Sequence, residues 1–151
     1  MNAFADTSLL CALYRVQDNS PTAYKLAGET RVSIAVSTLV LFEFRQSVRL
    51  QAFRFSKDRT QGYSPREAAR VLATLQANLE EGALVLASAD WPEVHSLAEQ
   101  LSAQHTAAMG NRSLDILHVA TALHLGAKQF LTLDAQQSAL AKAAGLKVKS
   151  A

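Results

Sequence analysis

Short apolar runs alternate with longer helical patterns along this chain, and that alternation constrains its fold most. The runs VSIAV at 32–36, ALVLA at 83–87 and FLTL at 130–133 are typical of buried strands. Shorter strand candidates lie at 3–6 and in LKVKS at 146–150. Because helical segments separate these strands, we predict a three-layer α/β/α sandwich with a mostly parallel central sheet.

Capping signals set the expected bounds of the helices. Ser37 is a candidate cap for a long helix over 38–55. SPRE at 64–67 reads as a capping box with proline at the first helical position, and it opens a helix that runs to Gly82. Ser113 is predicted to cap a helix that ends at Leu125. Further helices are expected at 7–15, 22–29, 92–108 and 135–144.

The composition is that of an ordinary globular domain. The chain has 151 residues, 49% of them hydrophobic and 19% charged, which suits one domain over 1–151. The net charge of +2 excludes a polybasic tail, and the single cysteine excludes a disulfide framework. No signal segment is evident, and no apolar run reaches the roughly 18 residues of a membrane helix. We therefore expect a soluble, cytoplasmic protein.

Four carboxylates are predicted to meet at one edge of the sheet. Asp6 and Asp134 each follow a strand, while Asp115 and Glu43 stand in the first turns of helices. In a parallel sheet the carboxyl ends of the strands and the starts of the following helices share an edge, where sites form. Each aspartate also has a purely structural interpretation, as a helix cap or as a charge favoured by the helix dipole.

Glu43 is harder to explain as a structural residue, because it stands in the apolar stretch LVLFEF. Burying a polar group without a partner costs about 2–7 kcal/mol, and an unpaired charge costs more. Arg45 and Arg49 are possible ion-pair partners, but neither lies three or four residues away. A cluster of acids balanced by Mg²⁺ or Mn²⁺ is the alternative. We expect Glu43→Gln to abolish activity, preserve the fold and stabilise the metal-free protein by relieving repulsion.

Four motifs span nearly the whole chain: FADTSLLCALY, SxxxxxEF around Glu43, SLDILHVATALHLGA and FLTLDAQQSALAKAAGL. In this order they resemble the PIN-domain ribonucleases, of the kind found as VapC toxins of bacterial toxin–antitoxin pairs. The resemblance implies a PIN-like fold and hydrolysis of RNA that depends on Mg²⁺ or Mn²⁺. It also implies a cognate antitoxin and a homodimer as partners.

The family's acidic quartet maps onto Asp6, Glu43, Asp115 and Asp134. The three aspartates are expected to bind metal directly or through water, and Glu43 completes the cluster by orienting a metal-bound water. Hydroxyl groups beside the acids are candidate hydrogen-bond partners of the acids, of water or of phosphate. These residues are Thr7, Ser8 and Thr132.

Basic residues are frequent between positions 45 and 70, with aromatic residues among them. The candidate RNA-binding residues are Arg45, Arg49, Arg54, Lys57 and Arg59, followed by Arg66 and Arg70, and the aromatic residues are Phe53, Phe55 and Tyr63. Phosphate contacts and base stacking need these residue types. The alternative is a solvated helix end with its aromatic side chains in the core.

Several other functions compete with a toxin nuclease. They are a PIN nuclease of RNA maturation outside a toxin pair, an RNA- or protein-binding domain that does not cut, and a metal-dependent phosphohydrolase of small substrates. The chain contains no GxxxxGK[ST], GxGxxG or GxSxG motif, which argues against nucleotide-fold and serine-hydrolase chemistry. His118, three residues after Asp115, can approach the acids, although such a histidine more often packs within its helix.

Overall fold

A computed structural model describes residues 3–30 and 33–149. Its strands form one five-stranded sheet in the order β3-β2-β1-β4-β5, and each pairing within it is parallel. The strands are β1 Ala3–Ala5, β2 Ile34–Val36, β3 Leu84–Leu86, β4 Gln129–Leu131 and β5 Lys147–Lys149. The predicted α/β fold with a parallel central sheet is thereby confirmed.

The helices connect these strands in chain order. They are α1 Thr7–Tyr14, α2 Ser20–Glu29, α3 Thr38–Lys57, α4 Pro65–Glu80, α5 Trp91–Leu101, α6 Ala107–Met109, α7 Ser113–His124 and α8 Ala135–Ala143. A π-helical segment, Ser102–Thr106, joins α5 to α6 and interrupts the helix predicted over 92–108.

Some predicted boundaries were wrong for identifiable reasons. Ser113 does not cap α7 but is its first residue, and Arg112 before it makes no side-chain cap bond. α2 begins at Ser20 rather than at residue 22, with Pro21 in its first turn, where proline is favoured. The predicted FLTL strand ends at Leu131, although the Thr132 N–H still donates to the Lys149 carbonyl of β5 at 3.3 Å. Val32 and Ser150, at the ends of two predicted strands, lie outside the described residues.

The capping box at 64–67 is half formed. The Ser64 side chain accepts a hydrogen bond from the Glu67 backbone N–H at 3.2 Å, as predicted. The Glu67 carboxylate, however, binds the Arg70 guanidinium, with Nε to Oε2 at 2.9 Å. The cap of α3 is as predicted, since Ser37 accepts from the Val40 N–H at 3.2 Å.

The chain reverses its direction across the sheet once, after β3, so the connections that leave β1 and β4 run in opposite directions. The steps from β1 to β2 to β3 go one way, and those from β3 to β4 to β5 go the other. Because such crossovers are right-handed, α1–α4 cover one face and α5–α8 the other. The contacts agree, since α1 packs against α2 and α3, while α7 packs against α5 and α8. The carboxyl ends of β1 and β4 therefore form the switch point where open parallel sheets bind ligands.

The long helix α3 divides the apolar stretch around Glu43 between two environments. Phe44 is fully buried, whereas Phe42 is 62% exposed and Phe53 57% exposed. Glu43 is half-buried, between the buried face of α3 that carries Phe44 and the exposed face that carries Phe42. Despite its 20 residues, α3 does not qualify as a membrane span, and neither does any other helix within 3–30 and 33–149.

Candidate functional site

Asp6 lies at the carboxyl end of β1 and is fully buried. One carboxylate oxygen, Oδ1, caps α1 by accepting from the Leu9 N–H at 3.0 Å. The other, Oδ2, accepts from the Thr132 hydroxyl at 2.6 Å, and Ser8 Oγ lies 2.8 and 2.9 Å from the two oxygens. Burial raises the pKa of Asp6 above its ordinary value, although the hydrogen bonds from Thr132, Leu9 and Ser8 partly offset that rise. The fold thus holds a strongly desolvated carboxyl group at the switch point.

Asp134 mirrors Asp6 after β4. Its Oδ1 caps α8 by accepting from the Gln137 N–H at 2.9 Å, while its own N–H donates to Thr132 Oγ1 at 2.9 Å. Thr132 therefore joins Asp6 to Asp134. The structural interpretation of both aspartates as caps is correct, yet each keeps an oxygen that does not cap.

Asp115 is almost completely buried and bonded to Arg112, which precedes α7. Arg112 Nε donates to Asp115 Oδ2 at 2.8 Å, and its terminal Nη2 donates to Oδ1 at 3.2 Å. The same Nη2 lies 3.6 Å from Asp134 Oδ2. The hydrogen bond to Asp115 raises the pKa of Arg112 further. Sequence reasoning missed this arginine, although its three-residue spacing from Asp115 is a known signal for a helical ion pair.

Glu43 is paired with His118 and Thr7, and not with the arginines considered from the sequence. His118 Nε2 is hydrogen-bonded to Glu43 Oε2, and the Thr7 hydroxyl donates to the same oxygen at 2.6 Å. Burial alone would raise the pKa of Glu43, but the bonds to His118 and Thr7 outweigh it and hold the pKa below its ordinary value. His118, only 1% exposed, is therefore part of the acidic site. It does not simply pack within its helix, as such histidines more often do.

Hydrogen bonds and charge pairs connect the four acids at the switch point. Thr132 links Asp6 to Asp134. Arg112 links Asp134 to Asp115, and its charge also acts on Glu43. Thr7 links Glu43 to the start of α1. Among the described residues, no three His, Cys, Asp or Glu side chains form a ready-made metal site.

The donor set nevertheless fits a hard divalent cation chemically. Carboxylate oxygens are the ligands that Mg²⁺ and Mn²⁺ prefer. Asp6 has no salt bridge to a lysine or arginine within 3–30 and 33–149, and the one cationic side chain that acts on its carboxyl group there is His118. The positive charge supplied by Arg112 is directed to Asp115 and Asp134 instead.

The basic stretch extends away from the acids along α3. Arg54 stands eleven residues beyond Glu43, which is about 16 Å along a helix axis. The exposed Phe53 ring lies 5.4 Å from Lys57 Nζ, whereas Phe55 and Tyr63 are partly buried. Among these three aromatic residues Phe53 is therefore the most exposed, with Lys57 beside its ring, while Tyr63 packs against the core.

A model of the PIN domain family matches residues 3–143. The chain belongs to the PIN-domain family. Several solved PIN-like structures are similar over nearly their whole length. VapC20 of Mycobacterium tuberculosis is 20% identical, with 96% of each chain covered and a TM-score of 0.61. VapBC2 of Rickettsia felis is 17% identical, covering 99% of this chain and 98% of the other, with a TM-score of 0.64.

VapBC of Salmonella typhimurium, solved bound to DNA, is 14% identical, covering 99% of this PIN domain and 98% of that chain, with a TM-score of 0.62. No curated protein sequence matches significantly. At such identities the likeness concerns the fold, and it agrees with the all-parallel sheet described above.

Proposed function

We propose that this PIN domain, as a single domain over 1–151, is a metal-dependent endoribonuclease and the toxin of a toxin–antitoxin pair. The observation that carries the proposal is the connection of Asp6, Glu43, Asp115 and Asp134 at the β1/β4 switch point. A domain that only binds RNA or protein has no use for such a cluster. The similar VapC20 is described as a toxin that cleaves the sarcin–ricin loop, which supports RNA as the substrate and the cytoplasm as the location.

Asp6, Asp115 and Asp134 are the proposed ligands of Mg²⁺ or Mn²⁺, directly or through water. A bound divalent cation supplies activation of a water and stabilisation of the leaving oxygen. Glu43, whose lowered pKa keeps it deprotonated near neutral pH, would orient a water in the site and accept its proton at a carboxylate oxygen. His118 and Thr7 hold Glu43 in place, while Ser8 and Thr132 hold Asp6. Arg45, Arg49, Arg54, Lys57 and Arg59 bind the RNA backbone.

A cognate antitoxin is the proposed protein partner, with a homodimer as the proposed assembly. Similar structures include VapBC complexes. Two apolar residues that directly precede acids in the sequence, Phe42 before Glu43 and Leu114 before Asp115, are 62% and 43% exposed. An antitoxin segment that covers the site would remove this apolar surface from water, which is favourable.

The proposed function is tested by cleavage of RNA with purified protein. We expect internal cleavage with Mg²⁺ or Mn²⁺ and none with EDTA.

Calorimetry should detect cation binding that Asp134→Asn weakens, and asparagine is preferable to alanine because it keeps an oxygen to cap α8. Cation binding without cleavage would instead indicate a binding module. Hydrolysis of p-nitrophenyl phosphate as fast as RNA would indicate a general phosphohydrolase. Growth arrest on induction, absent for Asp134→Asn, would support the toxin role.

Charge reversal in the basic stretch should weaken RNA binding. The double variant Arg54→Glu and Arg59→Glu removes two exposed cations. The negative slope of log affinity against log salt concentration should become shallower by about 0.7 for each lost contact to single-stranded RNA. Filter binding at several salt concentrations measures both quantities. The matched control reverses Lys25 and Lys142, two exposed lysines on α2 and α8. Equal losses in both double variants would mean that only net charge matters.

A further inference from the structure

Arg112 occupies an unusual position for a cation. It directly precedes α7 and provides no side-chain cap, and the positive end of a helix dipole disfavours a cation there. Its guanidinium nevertheless binds both oxygens of Asp115 and reaches Asp134 at 3.6 Å. The two carboxylates, and not the helix, account for where the guanidinium lies.

The guanidinium binds the oxygens that a metal ion would need. Both oxygens of Asp115 accept from Arg112, and the Asp134 oxygen near Nη2 is the one that does not cap α8. A divalent cation in direct contact with these atoms would lie close to the positively charged guanidinium, so the repulsion between the two cations favours displacement of the arginine. The Arg112 side chain is 69% exposed, so it can move into solvent without disrupting the core.

We propose that Arg112 and a divalent cation compete for Asp115 and Asp134, and that the displaced guanidinium binds a phosphate of the RNA. This inference rests on the proposed metal-dependent nuclease. A planar guanidinium suits the exchange, since its two-pronged geometry matches carboxylate and phosphate alike. In the metal-free protein Arg112 offsets part of the charge of Asp115 and Asp134, and in the metal-loaded protein it would be available beside them to hold the substrate.

Competition is tested by calorimetric titration of Mn²⁺ into the wild type and Arg112→Gln. Removing the competing cation should tighten Mn²⁺ binding about fivefold, as expected for the loss of one solvent-exposed ion pair. Arg70→Gln is the matched control, because Arg70 makes the same three-residue pair with Glu67 on α4. Unchanged or weaker Mn²⁺ binding by Arg112→Gln, in a wild type that does bind Mn²⁺, would overturn the competition alone. Absence of Mn²⁺ binding in both proteins would overturn the proposed function as well.

The exchange predicts an effect on RNA that depends on metal. In a Glu43→Gln background, which we expect not to cleave, fluorescence anisotropy measures RNA affinity with and without Mn²⁺. Adding Arg112→Gln should weaken RNA binding about fivefold with Mn²⁺, again the size of one exposed ion pair. Without Mn²⁺ it should change binding little, because Asp115 retains the guanidinium. An equal loss of RNA affinity under both conditions would mean that Arg112 contacts RNA without any exchange. Unchanged RNA affinity under both conditions would mean that Arg112 does not contact a phosphate. Either result would overturn the second half of the proposal.

Discussion

Asp115→Asn should reduce the rate of metal-dependent RNA cleavage by more than about 100-fold while leaving the protein folded. Loss of residues that merely support metal ligands costs roughly 10- to 100-fold, so loss of a ligand charge should exceed that range. The side chain is almost fully buried, but asparagine has nearly the same shape and keeps one oxygen to accept from Arg112. Initial cleavage rates and a thermal unfolding curve measure the two quantities.

Glu67→Gln is the matched control for Asp115→Asn. Glu67 also lies in the first turn of a helix and binds an arginine three residues away, but it is solvent-exposed and on α4. Its activity should stay within about twofold of the wild type, since exposed ion pairs contribute little. If both variants cleave RNA at the wild-type rate, Asp115 is not a ligand. If Asp115→Asn unfolds, the loss of activity has no bearing on metal binding.

Glu43→Gln should abolish cleavage and also destabilise the metal-free protein, by about 1.5 kcal/mol at neutral pH. The sequence alone predicts stabilisation, because repulsion between the acids would be relieved. The structure argues for the opposite sign, since His118 and Thr7 both bind the Glu43 carboxylate and lower its pKa. The glutamine side chain would keep an acceptor oxygen but lose the charge that makes these bonds strong.

The pH dependence of this loss follows from the lowered pKa. A carboxyl group with a lowered folded-state pKa stabilises the protein above its unfolded-state pKa, 4.5 for Glu43, and that contribution disappears as the pH falls through the folded-state pKa. Denaturant unfolding should therefore show a difference between wild type and Glu43→Gln at neutral pH that shrinks below pH 4.5. If Glu43→Gln were more stable than the wild type at neutral pH, repulsion between the acids would outweigh the hydrogen bonds to Glu43.

Glu93→Gln provides the control for Glu43→Gln. Glu93 also pairs with a histidine, with His124 Nδ1 at 3.3 Å, but its side chain is 70% exposed. Water screens that pair, so its removal should change the free energy of unfolding by less than about 1 kcal/mol. Only the pair at the acidic site should be linked to RNA cleavage.

The positions of the acids could be predicted from the sequence because local signals fix them. Asp6 and Asp134 each stand between a strand pattern and a helix pattern, and parallel strands bring such positions to one edge. The partners of Glu43 could not be predicted in the same way. His118 is 75 residues away in the chain, and its approach to Glu43 depends on how α3 and α7 meet at the end of the sheet.

Arg112 was missed because it stands before α7, outside the helical pattern. With Ser113 as the predicted cap, the arginine before it belongs to a loop and is expected to face solvent. Its side chain is indeed mostly exposed, and a pattern of polar and apolar residues cannot distinguish a solvated cation from one bound to a buried carboxylate. The basic stretch shows the same difficulty, since Phe53 is exposed while Phe55 and Tyr63 are partly buried.

The two aspartate caps mean that helix formation and the proposed metal binding depend on the same side chains. Asp6 and Asp134 each use Oδ1 to cap the first turn of a helix, while Oδ2 of Asp6 accepts from Thr132 and Oδ2 of Asp134 lies near Arg112. An alanine at either position would lose a helix cap together with a proposed metal ligand, whereas an asparagine would keep the cap and lose only the ligand charge. The proposed site therefore cannot unfold independently of the first turns of α1 and α8, and we expect whatever loosens either turn to weaken cation binding as well.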